Sequence, residues 1–169
     1  HHGQLPQLLA GSGLRAYVFF RPGPHEKALP GGVFWWQSPD GRRILAARPP
    51  HHYGTWGQTL RDHLRTAAEQ VPEPLRDVLC FYGVGNHGGG PTRATVEWIR
   101  THKDFAPGVT LEFSSPTRFF KAVEPFRAKA PIVTGELQMH AIGCYSVCGP
   151  LKRAVRDAGY RTEGATARF

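Results

Sequence analysis

The sequence predicts an α/β fold built on a mainly parallel sheet, and three observations carry that reading. Short apolar, β-branched or aromatic runs recur at residues 16–20, 78–82, 109–113 and 131–137, each of strand length. Segments with apolar residues at helical spacing separate them. Loops rich in Gly, His and Trp come after the runs, and in such folds the strand C-terminal ends carry the ligand site.

Residues 4–10 read as a helix that stops at Gly11 or Gly13. Residues 16–20 are a buried strand closed by Arg21-Pro22-Gly23-Pro24. The runs 33–36 and 43–47 flank Ser38-Pro39-Asp40-Gly41, and Pro followed by Asp-Gly between apolar runs predicts a tight strand pair. Leu60, Leu64, Ala67 and Ala68 place a helix within residues 57–70. A further helix spans 92–102, with Pro91 at its first turn. Ser115-Pro116 supplies the N-cap and first position of a helix that carries Phe119, Phe120 and Val123. The four runs are expected in one sheet with their C-terminal ends on one side, yet they are too few to close a barrel.

The 169 residues suit one domain or part of a larger one, and 40% hydrophobic residues with ten Phe, five Tyr and four Trp suffice for a packed core. No run approaches the ~20 apolar residues of a membrane span. No basic stretch leads into an apolar signal core, which favours the cytoplasm. The net charge of +8 raises the question of a nucleic-acid partner. No basic run exceeds Arg42-Arg43 or Lys152-Arg153, and scattered arginines argue against a nucleic-acid face. Three cysteines do not make a disulfide framework. Cys80 sits in an apolar run and reads as a core thiol. Cys144 and Cys148 lack a second Cys pair, so no zinc site is assigned to them.

The feature richest in chemistry is Tyr82-Gly83-Val84-Gly85-Asn86-His87-Gly88-Gly89-Gly90-Pro91-Thr92, between a strand and a helix. Its glycines permit close backbone approach to a ligand and present Asn86 and His87 at the strand end. Gly83-x-Gly85-x-x-Gly88 also matches a dinucleotide fingerprint, but the helix starts only after Pro91, later than a pyrophosphate-binding turn requires.

The same stretch resembles one found in bacterial α-mannosidases of glycoside hydrolase family 38, and three further segments agree in order. His1-His2-Gly3-Gln4-Leu5-Pro6-Gln7-Leu8-Leu9 resembles the segment downstream of the family's Asp-x-Phe-Gly motif, with His1 as the motif's trailing His. Phe34-Trp35-Trp36-Gln37-Ser38-Pro39-Asp40-Gly41 resembles its Phe-Trp-Trp stretch and the turn after it. Gly135-Glu136-Leu137-Gln138-Met139-His140-Ala141-Ile142-Gly143-Cys144-Tyr145 resembles its Gly-Glu-Leu…His…Gly-x-Tyr segment. The likeness spans residues 1–153, and 154–169 form a divergent or truncated tail with no helical stripe, expected to pack poorly.

The resemblance implies part of a (β/α) barrel-like catalytic domain lacking its N-terminal strands. It implies a zinc-dependent retaining α-mannosidase that hydrolyses terminal α-mannosyl residues of glycans. The nucleophilic Asp would precede His1 and the zinc ligands would lie outside these residues, so the polypeptide alone is expected to be inactive. Asn86 and His87 are the catalytic candidates: Asn86 stands where the family usually has its acid, and His87 beside it can donate a proton. Arg21, Trp36, Tyr53, His140 and Tyr145 are the substrate-binding candidates. Gly54 replaces the Asp that comes after the family's Tyr at position 53. Adjacent residues on a strand face opposite ways, so at least one of Trp35 and Trp36 belongs to the core. No metal ligand is assigned to His1-His2 or His51-His52, because adjacent residues rarely both ligate. A carbohydrate partner is expected. Two other readings stand: a non-catalytic carbohydrate-binding module, and a nucleotide-binding α/β domain.

Overall fold

A computed structural model describes residues 1–56, 59–71, 74–85, 89–138, 140–141 and 148–166, with side chains up to residue 161. Its elements in chain order are α1 (Leu5–Gly11), β1 (Ala16–Val18), β2 (Val33–Gln37), β3 (Arg43–Ala47), α2 (Thr59–Glu69), α3 (Arg93–Thr101), β4 (Asp104–Ala106), β5 (Val109–Thr110), α4 (Pro116–Ala122), a tight helical turn (Glu124–Lys129), β6 (Ile132–Thr134) and α5 (Gly149–Thr166).

Strands β1, β3, β2 and β6 form one sheet in that order. The pairs β1–β3 and β2–β6 are parallel, and β2–β3 is antiparallel. The β2–β3 hairpin is a product of its turn chemistry. Ser38 Oγ donates to Asp40 Oδ1 at 2.5 Å, and that oxygen also accepts from Arg42 N–H at 3.1 Å. Gly41 takes φ 83°, a conformation side chains resist.

Side chains of β2 and β3 alternate between two cores, the period-two rule of a strand buried on both faces. Val33, Leu45 and Ala47 meet Leu75, Leu79, Phe119, Phe120 and Val123 on one face. Phe34, Trp36, Ile44 and Ala46 meet Phe19 and Leu137 on the other. Helix α4 delivers its phenylalanines because Ser115 caps it, its Oγ accepting from Arg118 N–H at 3.2 Å, with Pro116 at the first position.

The sheet corrects the mainly parallel expectation. Strands β1 and β3 run one way and β2 and β6 the other, because the hairpin reverses the chain in the middle of the sheet. The segment 78–82 forms no ladder, although Leu79 is buried and Phe81 packs against the first core. An apolar run reports side-chain burial and not a backbone partner. Of residues 109–113 only Val109–Thr110 is strand, paired antiparallel to β4 across Pro107-Gly108, where Gly108 has φ 74°. Pro then positive-φ Gly is the chemistry of a type II turn. In the tail, α5 extends through residue 166. Its alanines and arginines favour helix without tertiary help, and Leu151, Val155 and Tyr160 stay exposed. Among the described residues no helix is long and apolar enough to cross a membrane.

Candidate functional site

Parallel strands β1 and β3 leave the sheet at the same edge, with Phe19 N–H donating to Ala47 O at 3.1 Å. Their exits run as Phe20-Arg21 and as Arg48 to Tyr53, side by side. Phe20 is the spacer between them. Its ring meets Tyr53 edge-on at 5.4 Å, His52 at 6.3 Å and Phe81 at 5.0 Å between centroids. His52 lies against Tyr53 at 3.9 Å, and its Nδ1 accepts from Gly54 N–H at 3.1 Å. Burial, and then the Arg21 guanidinium, hold the His52 imidazole below its ordinary range. Arg21 and Tyr53 therefore share one side of the sheet edge.

His140 joins them through a carboxylate that sequence reasoning missed. Glu26, in the β1–β2 connection, accepts from Gly23 N–H at 2.6 Å and faces Arg21 Nη1 at 3.8 Å. Its other oxygen lies 2.5 Å from His140 Nδ1. The Gly23 N–H bond, and then the His140 contact, hold the Glu26 carboxyl below the usual carboxylate range. Strand β6 ends at the edge away from Arg21, so its direction does not bring His140 here. Instead Gly135 turns at φ 84°, Leu137 N–H donates to His1 O at 2.9 Å, Lys27 Nζ donates to Glu136 O, and the chain reaches Glu26. The signal in the sequence was the polar His25-Glu26-Lys27 between Pro24 and the Phe-Trp-Trp run.

The glycine-rich loop is fixed at its base. Thr55 is 3% exposed; its N–H donates to Gly83 O at 2.7 Å, and its Oγ1 accepts from Gly83 N–H at 3.0 Å. Val84 N–H donates to Gly90 O at 2.9 Å. Gly83 and Gly85 have φ 150° and 94°, values that glycine alone adopts readily. Asn86, His87 and Tyr145 lie outside the described residues, as does Cys144. Helix α3 begins at Arg93, and its N-cap Thr92 Oγ1 already accepts from Thr95 N–H at 3.1 Å. That start, well beyond Gly88, is not the helix-terminus geometry of a dinucleotide turn.

Trp36 is the correction among the substrate-binding candidates. It is fully buried, packs on Tyr17 at 5.9 Å, and its Nε1–H donates to Gly135 O at 2.9 Å. No sugar can stack on a ring enclosed by core. Its neighbour Trp35 faces the other way and donates its Nε1–H to Arg127 O at 2.9 Å, under the Arg127 guanidinium.

The histidine pairs diverge. His51 stacks on His63 at 4.7 Å and 6° while His52 turns to Tyr53. His1 Nδ1 lies 3.0 Å from Tyr17 Oη, and His2 faces Glu136 at 3.6 Å. Among the described residues no group of three or more His, Cys, Asp or Glu could hold a metal ion. The described residues therefore do not fit a zinc site. Cys80 is a half-buried thiol, pushed up to about 11 by burial. A cavity of about 240 Å³ opens beside Val33, Leu75, Leu79 and Phe119, on the first core, with Pro24 in its wall but none of Arg21, Glu26 and His140. Arg48 forms part of its wall, tied to Lys27 O at 2.8 Å.

Arg21, Tyr53 and the Glu26–His140 pair thus gather at one end of a mixed α/β scaffold, and comparison with known proteins gives its family. The model of the glycosyl hydrolases family 38 N-terminal domain matches residues 1–136. The chain belongs to that family. It is 29% identical over 160 residues to alpha-mannosidase G of Dictyostelium discoideum, covering 92% of this chain and 15% of that protein. It is 29% identical over 164 residues to alpha-mannosidase 2C1 of Homo sapiens, covering 93% and 15%. The chain thus spans about 15% of the length of these relatives. Its fold is similar to an alpha-mannosidase from Enterococcus faecalis V583, with a TM-score of 0.64, 21% identity, and coverage of 81% of this chain and 16% of that one.

Proposed function

We propose that these residues form the sugar-facing wall of a retaining, zinc-dependent α-mannosidase that removes terminal α-mannosyl residues from glycans. The observation that carries this reading is the convergence of Arg21 and His140 on Glu26, with Tyr53 packed on Phe20, the neighbour of Arg21. A planar guanidinium offers several donors to vicinal hydroxyls or to a neighbouring carboxylate, and Tyr and His add directional hydrogen bonds. Family membership supports a glycoside hydrolase, and the curated relatives are alpha-mannosidases.

In this reading Arg21, Tyr53, His140 and Tyr145 bind the terminal sugar, and the glycine-rich loop brings Asn86 and His87 to the leaving oxygen. The His87 imidazole is a group suited to proton donation, whereas the Asn86 amide has no titratable proton. The reading assigns the nucleophile and all zinc ligands to parts of the protein other than these residues. The test is hydrolysis of an activated aryl α-mannoside by the complete protein, with and without chelator. Chelator-sensitive turnover that Arg21→Ala and His87→Ala both reduce by at least about tenfold, ~1.4 kcal/mol of barrier, supports it. Glycan binding with no turnover would replace it with a binding module.

A further inference from the structure

We propose that Glu26 is the positioning residue of this site: its carboxylate holds the Nδ1 proton of His140 and faces the Arg21 guanidinium, fixing the orientation in which both meet a sugar. The proposal rests on the α-mannosidase reading for the identity of that sugar, and on geometry for everything else.

Four observations converge. Glu26 is the most enclosed member of the cluster, its side chain 15% exposed against 43% for Arg21 and 39% for His140. Both carboxylate oxygens are used. Oε1 meets His140 Nδ1 at 2.5 Å, while Oε2 accepts from Gly23 N–H at 2.6 Å and faces Arg21 at 3.8 Å. The His140 contact links residues 114 positions apart, so it fixes the connection after β1 to the chain after β6. Ala141, next to His140, has φ 51°, a strained backbone value for a residue with a Cβ. Strain of that kind persists only where surrounding contacts determine the conformation.

The chemistry is set by what each group can donate. An ionised carboxylate only accepts hydrogen bonds. At 2.5 Å from it, Nδ1 of His140 must carry the proton. The Nε2 atom is left for a ligand, as lone pair in the neutral ring or as N–H in the charged one, and it has no hydrogen-bond partner among the described residues. The groups acting on Glu26 are the Gly23 N–H, His140, His25 and Arg21, and the net effect keeps its carboxyl below the usual range. A carboxyl so held is a poor proton donor at neutral pH, which separates Glu26 from the general acid and assigns it to orientation. A carboxylate behind an imidazole also fixes ring plane and tautomer, the role such partners take behind catalytic histidines.

The experiment uses the complete protein with ¹⁵N-labelled histidine, the His140 signals being assigned by His140→Gln. In the parent, neutral His140 is expected with Nδ1 protonated. In Glu26→Ala the Nε2-protonated tautomer is expected to rise to a major population. If Glu26→Ala does not fold, Glu26→Gln serves, since a neutral amide no longer selects the Nδ1 proton. Unchanged tautomer populations in the folded variant overturn the proposal. In parallel, Glu26→Gln is expected to lower kcat/KM on an aryl α-mannoside by about tenfold or more and to alter its pH profile, with Glu26→Asp recovering part. Glu112→Gln, in an exposed pair with Arg118, serves as the control and changes neither readout. Parent-like kinetics and pH profile in Glu26→Gln also overturn the proposal. A parent without α-mannoside turnover sinks the mannosidase reading instead, and the tautomer result then decides the role of Glu26.

Discussion

Thr55 and Gly83 pair through both main chain and side chain: Thr55 N–H donates to Gly83 O at 2.7 Å, and Thr55 Oγ1 accepts from Gly83 N–H at 3.0 Å. This pair sews the loop that carries Tyr53 to the first residue of the glycine-rich loop. Thr55→Val keeps the shape and removes the acceptor, leaving a buried Gly83 N–H unsatisfied. The expected cost is about 1–3 kcal/mol in denaturant unfolding. Because two loops of the proposed sugar-facing wall lose their common anchor, sugar affinity should fall as well. A variant as stable as the parent would show that the side-chain bond contributes nothing.

Trp36 separates packing from recognition. Its indole is fully enclosed between Phe34, Ile44 and Leu137 neighbours and donates to Gly135 O. Trp36→Phe keeps most of the apolar volume but orphans that carbonyl and leaves a void, so stability should drop by about 1–3 kcal/mol. Affinity for a mannoside, measured on the fraction that remains folded, should stay within about twofold of the parent, since each 1.4 kcal/mol of lost binding would appear as a factor of ten. A large loss of affinity without loss of stability would restore the stacking role that burial removes.

Acid should weaken the site in two windows. His51, pressed on His63, and His52, beside Arg21, are both held below their ordinary 6.5 by burial first and by those charges second. Their stabilising contribution is present above 6.5 and is lost as pH falls through the lower folded values. The Glu26 carboxyl is held below its ordinary 4.5, so its contribution is present above 4.5 and lost as pH falls through its own folded value. Unfolding measured from pH 8 to pH 3 should show both declines. Glu26→Gln should shrink the lower one to the part that Asp40, held low first by its Ser38 hydrogen bond, contributes, and leave the upper. A lower limb identical in the two proteins would disprove the assignment.

What the sequence made legible depended on whether a signal was local. The β2–β3 hairpin was readable because Pro39, Asp40 and Gly41 carry the turn in their own side chains and backbone freedom. Ser115-Pro116 was readable for the same reason. Strand direction was not, because residues 16–20 and 131–137 look alike as apolar runs while pairing fixes opposite directions for β1 and β6. Arg21, Tyr53 and His140 came from motif likeness. Glu26 did not, since its meaning lies in a contact with His140 that no local pattern encodes.

A polypeptide of these 169 residues alone is expected to hydrolyse no α-mannoside. Retaining glycosidases need a nucleophilic carboxylate and an acid about 5–5.5 Å apart. Glu26 is not available as the nucleophile, because its two oxygens are occupied by Gly23 N–H and His140 with Arg21 beside them. The resemblance puts the attacking Asp ahead of His1, and His1 is itself fixed in the fold by its carbonyl bond to Leu137 N–H at 2.9 Å. Chain leading into His1 would thus arrive next to Glu136, whose carbonyl Lys27 reaches, one residue from Glu26. The check compares the 169-residue polypeptide with the complete protein on an aryl α-mannoside in the presence of Zn²⁺. Turnover that co-purifies with the shorter chain and disappears with chelator would mean that the reacting carboxylates lie within these residues.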